Sequence, residues 1–207
     1  MANVINATST GSGGLVSTGD DSGILNIQTN ETTAITVDAS QKVSFTNPIQ
    51  GGSITSGTSV ASTSGTSIDF TSIPSWVKRI TVVFNEVSTN GTSGTVIQIG
   101  TSGGVVTSGY VSSSVGVSSG GVGVNSITNG FGIRNDNASY VFSGHMVITL
   151  LGSNIWISSH TGKISTSIGG FGGGSVTLGG TLDRIRITTV NGTDTYDAGS
   201  INILYEG

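Results

Sequence analysis

Residues 23–48, GILNIQTNETTAITVDASQKVSFTNP, decide the fold class of this chain. Three short segments, Ile24-Leu25-Asn26-Ile27, Ala34-Ile35-Thr36-Val37 and Val43-Ser44-Phe45, alternate apolar and polar residues, with polar turn clusters at Thr29-Asn30-Glu31 and Asp38-Ala39-Ser40. Each has the period-two pattern of a strand with one buried face. None has enough apolar surface to bury that face alone, and small isolated hairpins are marginal in water. The expectation is an extended β-stalk that becomes stable when copies of the chain wrap around one another.

Composition agrees with a β-structured protein made of small residues. The 207 residues include 34 Gly but only 9% charged residues, and 34% are hydrophobic, which separates the chain from disordered sequences that combine low hydrophobicity with high net charge. Ser, Thr and Asn take over the task of keeping the surface wet. With seven Lys and Arg, no basic run beyond Lys78-Arg79 and a net charge of −4, phosphate neutralisation and hence nucleic-acid binding are not expected. The absence of Cys excludes disulfides and thiolate metal sites. MANVINATSTGSGG at 1–14 does not read as a secretory leader, and no apolar run approaches the roughly 20 residues of a membrane span, so no membrane insertion is expected.

Working outward, residues 1–20 read as a polar docking segment around Leu15-Val16, and 21–50 as the strand ladder ending at Asn47-Pro48. Residues 51–66, GGSITSGTSVASTSGT, read as a linker or extended neck. From 67 to 207 the pattern predicts a compact head. Ile80, Val82 and Phe84 alternate with Arg79, Thr81 and Val83; Val96–Ile99, Val105-Val106 and Tyr110–Val117 suggest further strands. Phe142, Met146, Ile148 and Leu150 share a face, and Ile155–Ile157 and Lys163–Ile168 follow. Ile185 and Ile187 alternate with Arg184 and Arg186, and Ile201, Ile203 and Tyr205 share a face, with a hairpin signal at Asn191-Gly192-Thr193-Asp194 between the two strands. Residues 118–130, SSGGVGVNSITNG, read as a long loop, as does GGFGGG at 169–174, whose glycine density argues against a strand interior. No segment carries a helical period. Eight or so short strands predict an all-β antiparallel sandwich of jelly-roll type.

No constellation points to catalysis. His145 lies opposite the apolar face of its strand, and His160 reads as part of a turn, Ser158-Ser159-His160-Thr161. A Ser-His-Asp set can be drawn in any chain this rich in Ser, and no nucleophile elbow is present. Asp20-Asp21 and Asp136 do not follow calcium-loop spacing. No catalytic residue, cofactor or metal ligand is expected, and the chain is read as a non-enzyme. Arg184 and Arg186 share a strand face from which both could reach acidic partners on a neighbouring strand or subunit.

The stretch IQTNETTAITVDASQKVSFTNP (27–48) resembles the repeated shaft and connector segments of tailed-bacteriophage tail fibres. SIDFTSIPSWVKRITVVFNEVSTNGTS (67–93) and GGTLDRIRITTVNGTDTYDAGSINILYE (179–206) resemble a small β-domain at the C-terminus of phage fibre and prophage tail proteins. The resemblance implies a structural virion protein, a homotrimer whose N-terminal segment docks on a tail or capsid protein and whose head binds a host-surface glycan or protein. A tail fibre or fibre tip fits first; a capsid fibre or decoration protein is the alternative, and a bacterial adhesin, which needs an export signal, ranks third. Several linked heads gain avidity without strong single-site affinity. For recognition, the aromatics outside the clearest core positions are Trp76, Tyr110, Phe131, Tyr140, Trp156 and Phe171, with core or interface packing as the alternative reading for Trp76 and Trp156. The two glycine-rich stretches are the candidate tip loops.

Overall fold

The computed structural model of the chain describes residues 22–29, 31–47 and 54–207, and the expected docking segment 1–20 lies outside the described residues. Among the described residues every regular element is a strand. The chain divides into two compact units, residues 1–49 and 50–207.

In the first unit, β1 (Leu25–Thr29), β2 (Thr32–Val37) and β3 (Val43–Phe45) form an antiparallel meander. Its register sets Leu25, Val37 and Val43 in one row and Ile27, Ile35 and Phe45 in the next. Directly paired residues point to the same face of a sheet, so six apolar side chains share one face. The other face carries Asn26, Thr36 and Ser44, with Thr36 Oγ1 donating to Asn26 Oδ1 at 2.8 Å. Asp38 shapes the turn into β3, its Oδ1 accepting from the amides of Ser40 (2.9 Å) and Lys42 (3.0 Å). Among the described residues the apolar face is left open: Leu25, Ile27, Val43 and Phe45 are each between 44% and 52% exposed.

In the second unit the strands are β4 (Thr55–Ser56), β5 (Val60–Ala61), β6 (Ser67–Phe70), β7 (Arg79–Thr89), β8 (Thr95–Thr101), β9 (Gly104–Val105), β10 (Val111–Ser118), β11 (Gly121–Ile127), β12 (Phe131–Ile133), β13 (Phe142–Gly152), β14 (Ile155–Ser165), β15 (Ile168–Thr177), β16 (Arg184–Thr189) and β17 (Tyr196–Glu206). They make a nine-stranded sheet, β11-β10-β15-β14-β13-β7-β17-β4 with β5 also on β17, and a five-stranded sheet, β12-β8-β16-β6 with β9 also on β8. All pairings are antiparallel. The alternations read in the sequence supply the core: Ile80, Val82, Met146, Ile148, Ile201 and Ile203 of the large sheet join Ile97, Ile99, Phe131, Ile185 and Ile187 of the small one in a single buried cluster. The architecture is all-β and sandwich-like.

Four of the expected elements are corrected by the strand pairing. First, residues 54–66 are not a free linker. β4 and β5 pair with β17, and buried Ser62 donates from its hydroxyl to Ala198 O at 2.8 Å. Second, the expected loop 118–130 contains β11, paired with β10 without a register break from Ser112↔Ile127 to Ser118↔Gly121. Third, GGFGGG lies inside β15, hydrogen-bonded on both sides. Fourth, Asn191–Asp194 is a corner and not a hairpin, because β16 belongs to the small sheet and β17 to the large one. There Asn191 Oδ1 accepts from the amides of Thr193 (3.0 Å) and Asp194 (3.2 Å), and Asp194 Oδ2 takes the amide of Ser93 across the corner (2.9 Å).

The glycines of β15 are in a strand because the space above them is taken. The register lines up Gly123, Gly116, Gly170, Gly162 and Gly144 across five neighbouring strands. Side chains from elsewhere lie in that trench. A Cβ on Gly170 would stand 2.5 Å from Ile164 Cδ1, one on Gly162 2.5 Å from Phe142 Cε2, and one on Gly116 2.8 Å from Arg134 Nη1. Beside the trench the two sheets are joined by hydroxyls: Ser112 Oγ accepts the amide of Gly132 (3.0 Å) and Ser114 Oγ that of Arg134 (2.8 Å). Gly162→Ala is therefore expected to destabilise the fold by about 1–3 kcal/mol, the range for overpacking a filled core. Gly169→Ala, on the same sheet but with open space around the new methyl group, stays within about 0.5 kcal/mol. Denaturant unfolding of the two variants checks the contrast.

Candidate functional site

With the inner side of β15 filled, its outer side is what the glycines expose. Gly170, Gly172 and Gly174 face the core, so Gly169, Phe171 and Gly173 face outward. One outward row runs Val124, Val115, Phe171, Thr161, His145 across β11, β10, β15, β14 and β13. The next runs Ser126, Ser113, Gly173, Ser159. Phe171 is 53% exposed and has only glycines at the same-face positions ahead of it and behind it on its own strand. Its ring face is therefore bare along the strand direction.

Beside it the outer face sinks into a groove of about 560 Å³, lined by Val111, Ser113, Ser126, Thr128, Gly173 and Ser175 among others. The lining has hydroxyls, backbone amides and carbonyls, and apolar edges, but no ionisable side chain apart from the buried Tyr110. Such a surface can pack a ring against an aromatic face and hold hydroxyl groups by hydrogen bonds. It has no group suited to shuttle protons at neutral pH: burial pushes the Tyr110 phenol far above its ordinary range.

The other aromatics expected at the surface are placed differently. Tyr110, Phe131 and Trp156 are buried and belong to the core, which corrects their reading as recognition residues. Tyr110 stacks edge-on against Phe131 at 5.0 Å, and its hydroxyl accepts from the amide of Ile99 at 2.8 Å. Tyr140 is half-buried and packs against the core, and Trp76 lies 5.9 Å from Tyr205, also partly buried. Phe171 alone of these six aromatics stands on an open sheet face. The hydroxyl residues around the groove were missed. Reading 168–177 as a strand, with Phe171 between Gly169 and Gly173 on one side, would have pointed to them.

Three of the titratable residues, Arg184, Arg186 and His160, sit in contacts within the fold. Arg186 faces Asp69 across the β16–β6 register and donates two bonds to its carboxylate, at 2.7 and 2.8 Å. Arg184 binds its neighbour Asp183 (3.0 Å) and the carbonyl of Ser102 (3.0 Å). Both arginines are thus partnered within the chain. His145 is on the outer face as expected, but His160 is inside β14 and 5% exposed, not in a turn. Its Nε2 lies 3.3 Å from Ser114 Oγ, and its ring covers the Cβ space of Gly172. Among the described residues no group of three or more His, Cys, Asp or Glu could hold a metal ion. Compared with protein-family models, curated proteins and solved structures, the chain gives no match.

Burial lowers the pKa of His160 to about 4, well below its ordinary value, because the charged ring would lose its water. The unfolded chain then binds more protons than the folded one between the two values, so stability is full above the unfolded pKa and falls as the pH drops toward 4. Acidification from about pH 7 to about pH 5 is expected to remove about 2 kcal/mol through this residue. His160→Gln should flatten the dependence, as measured by denaturant titration at the two pH values.

Proposed function

We propose that this chain is a structural protein of a bacteriophage virion, a tail fibre or fibre tip that attaches the particle to its host. The observation that carries the reading is the open apolar face of the β1–β3 meander. Six aliphatic and aromatic side chains in two rows are too few for a core and too many for a wetted surface. Copies of the same chain supply the missing cover, and a homotrimer closes three such faces on one axis. Each aliphatic side chain so buried contributes about 1.5–3 kcal/mol. The likeness of residues 27–48, 67–93 and 179–206 to fibre segments supports the same reading.

In this role residues 1–20 dock on a tail or capsid protein, and the jelly-roll-like head presents the Phe171 face to a host-surface glycan or protein. The hydroxyl-lined groove favours an uncharged saccharide, held by stacking on Phe171 and hydrogen bonds from the serines around it. The work is attachment, not catalysis.

Sedimentation of the full-length chain is expected to give a particle of about three times 20.7 kDa, which Ile35→Asp dissociates. A monomer whose amides in 25–45 are nonetheless protected from exchange rejects the oligomer. Labelling of virions by antibody is expected on the tail; label confined to the capsid surface moves the protein to the head. The purified chain should compete with virions for adsorption, and Phe171→Ala should lose that competition while keeping its unfolding midpoint.

A further inference from the structure

The nine-stranded sheet has one long open edge. β11 ends the sheet with seven residues, whereas β4, β5, β9, β12 and β6 at the other edges have two to four. Open edges template pairing with another chain, and proteins usually blunt them with short strands, charges, proline or bulges. β11 has none of these: GVGVNSI holds no charge and no proline, and its register is unbroken. Neither β10 nor β15 behind it carries a charged residue. The two charges that touch β11, Arg134 and Asp136, are paired at 3.2 Å, and Asn125 Nδ2 donates to the same carboxylate.

The direction of the free groups follows from the neighbours. The carbonyls of Val111 and Ser113 are turned toward the glycines of β15. In an antiparallel ladder such groups alternate, so Ser112 and Ser114 bond to β11 through Ile127 and Asn125. The amides and carbonyls of Val122, Val124 and Ser126 therefore point out of the sheet, and no partner meets them among the described residues. Val122 and Val124 are also 66% and 62% exposed on the outer face.

We propose that this edge pairs antiparallel with β11 of a second copy of the chain, about a two-fold axis at Val124. Three outward residues centred on Val124 are self-complementary. Val124 exchanges both bonds with its twin, and each Val122 exchanges both with the Ser126 opposite, so every free edge group of these residues finds a partner. The facing side chains are uncharged, and Val124 meets Val124. A strand of unrelated sequence could satisfy the backbone, but the symmetric register and the absence of charge on both sides of the seam favour the second copy. The pairing is independent of the attachment role and of assembly through the meander, because it uses a two-fold axis in the other unit.

The chain has no cysteine, so a single introduced one can link only to another copy. Val124→Cys in the full-length protein sets two thiols across a directly paired position, with Cα atoms about 5.5 Å apart, within disulfide range. Val122→Cys places the two sulfurs' backbones about 14 Å apart in the same register. Under mild oxidation, boiled non-reducing gels should shift Val124→Cys from the 20.7 kDa chain to a covalent dimer and leave Val122→Cys unshifted, while the double variant Val122→Cys/Ser126→Cys again gives dimer. Adding Val124→Pro to that double variant, which removes an outward amide without breaking a bond inside the chain, should abolish its dimer. Absence of the Val124→Cys dimer, or equal linking at 122 and 124, overturns the proposal. Slow hydrogen exchange at Val122, Val124 and Ser126 without any cross-link also overturns it, in favour of another segment on the edge. Because sedimentation of Ile35→Asp reads the meander separately, loss of one assembly is distinguishable from loss of the other.

Discussion

The close approach of side chains to a row of glycines governs the head. Gly123, Gly116, Gly170, Gly162 and Gly144 remove one side-chain layer from five adjoining strands, and Phe142, Ile164 and Arg134 occupy the volume. Once that space is filled, the facing of every residue on β15 is fixed. The aromatic ring at 171 has no room inside, because His160 and Ile164 already cover the inward glycines on either side of it. The exposure of Phe171 and the bare floor at Gly173 are thus consequences of core packing and not of loop chemistry.

The same constraint divides the interior in two. Toward β7 and β17 the inward rows are aliphatic, as in Met146–Val82–Ile203. Toward β10 the rows turn polar and small, as in His160–Gly172–Ser114 and Ser158–Gly174–Ser112. Small residues bury little apolar area, so this half leans on hydrogen bonds from Ser112 and Ser114 to the opposite sheet. That balance makes the polar half sensitive to charge, and a buried imidazole in its middle row is the group through which acid reaches it.

How much of this was legible in the sequence depended on side-chain size. β7, β13, β16 and β17 were readable because Ile, Val, Phe and Met alternate with polar residues at period two. β11 and β15 were not, since glycine recurs at their inward positions and the space above it is filled from outside the strand, as by Arg134 over Gly123 and His160 over Gly172. His160 was misplaced for a related reason: its neighbours Ser158 and Gly162 face inward with it, so the local pattern looks polar throughout. Asn191–Asp194 announced a sharp reversal correctly in chemistry, but nothing local tells whether a turn stays in one sheet or crosses to another. Of the six aromatics considered for recognition, only Phe171 is strongly exposed; Phe131 and Trp156 lie at strand positions whose facing depends on register, which a single sequence does not reveal.

The two units leave different kinds of surface unfinished, and the difference sets what can finish them. The meander exposes a face: its side chains are apolar, and the deficit is hydrophobic and non-directional. Any well-shaped apolar surface can cover it, and a rotation axis of higher order brings several copies to one line. β11 exposes an edge: its free groups are amides and carbonyls with fixed directions, which among protein partners only a strand in register can match as a row. A face of this kind tolerates small shifts between copies, whereas an edge slipped by one residue turns Val124 out of its pairing and its side chain to the other side. Assembly through the face is therefore governed by area and assembly through the edge by register. A chain so poor in charge has little electrostatic repulsion to prevent either.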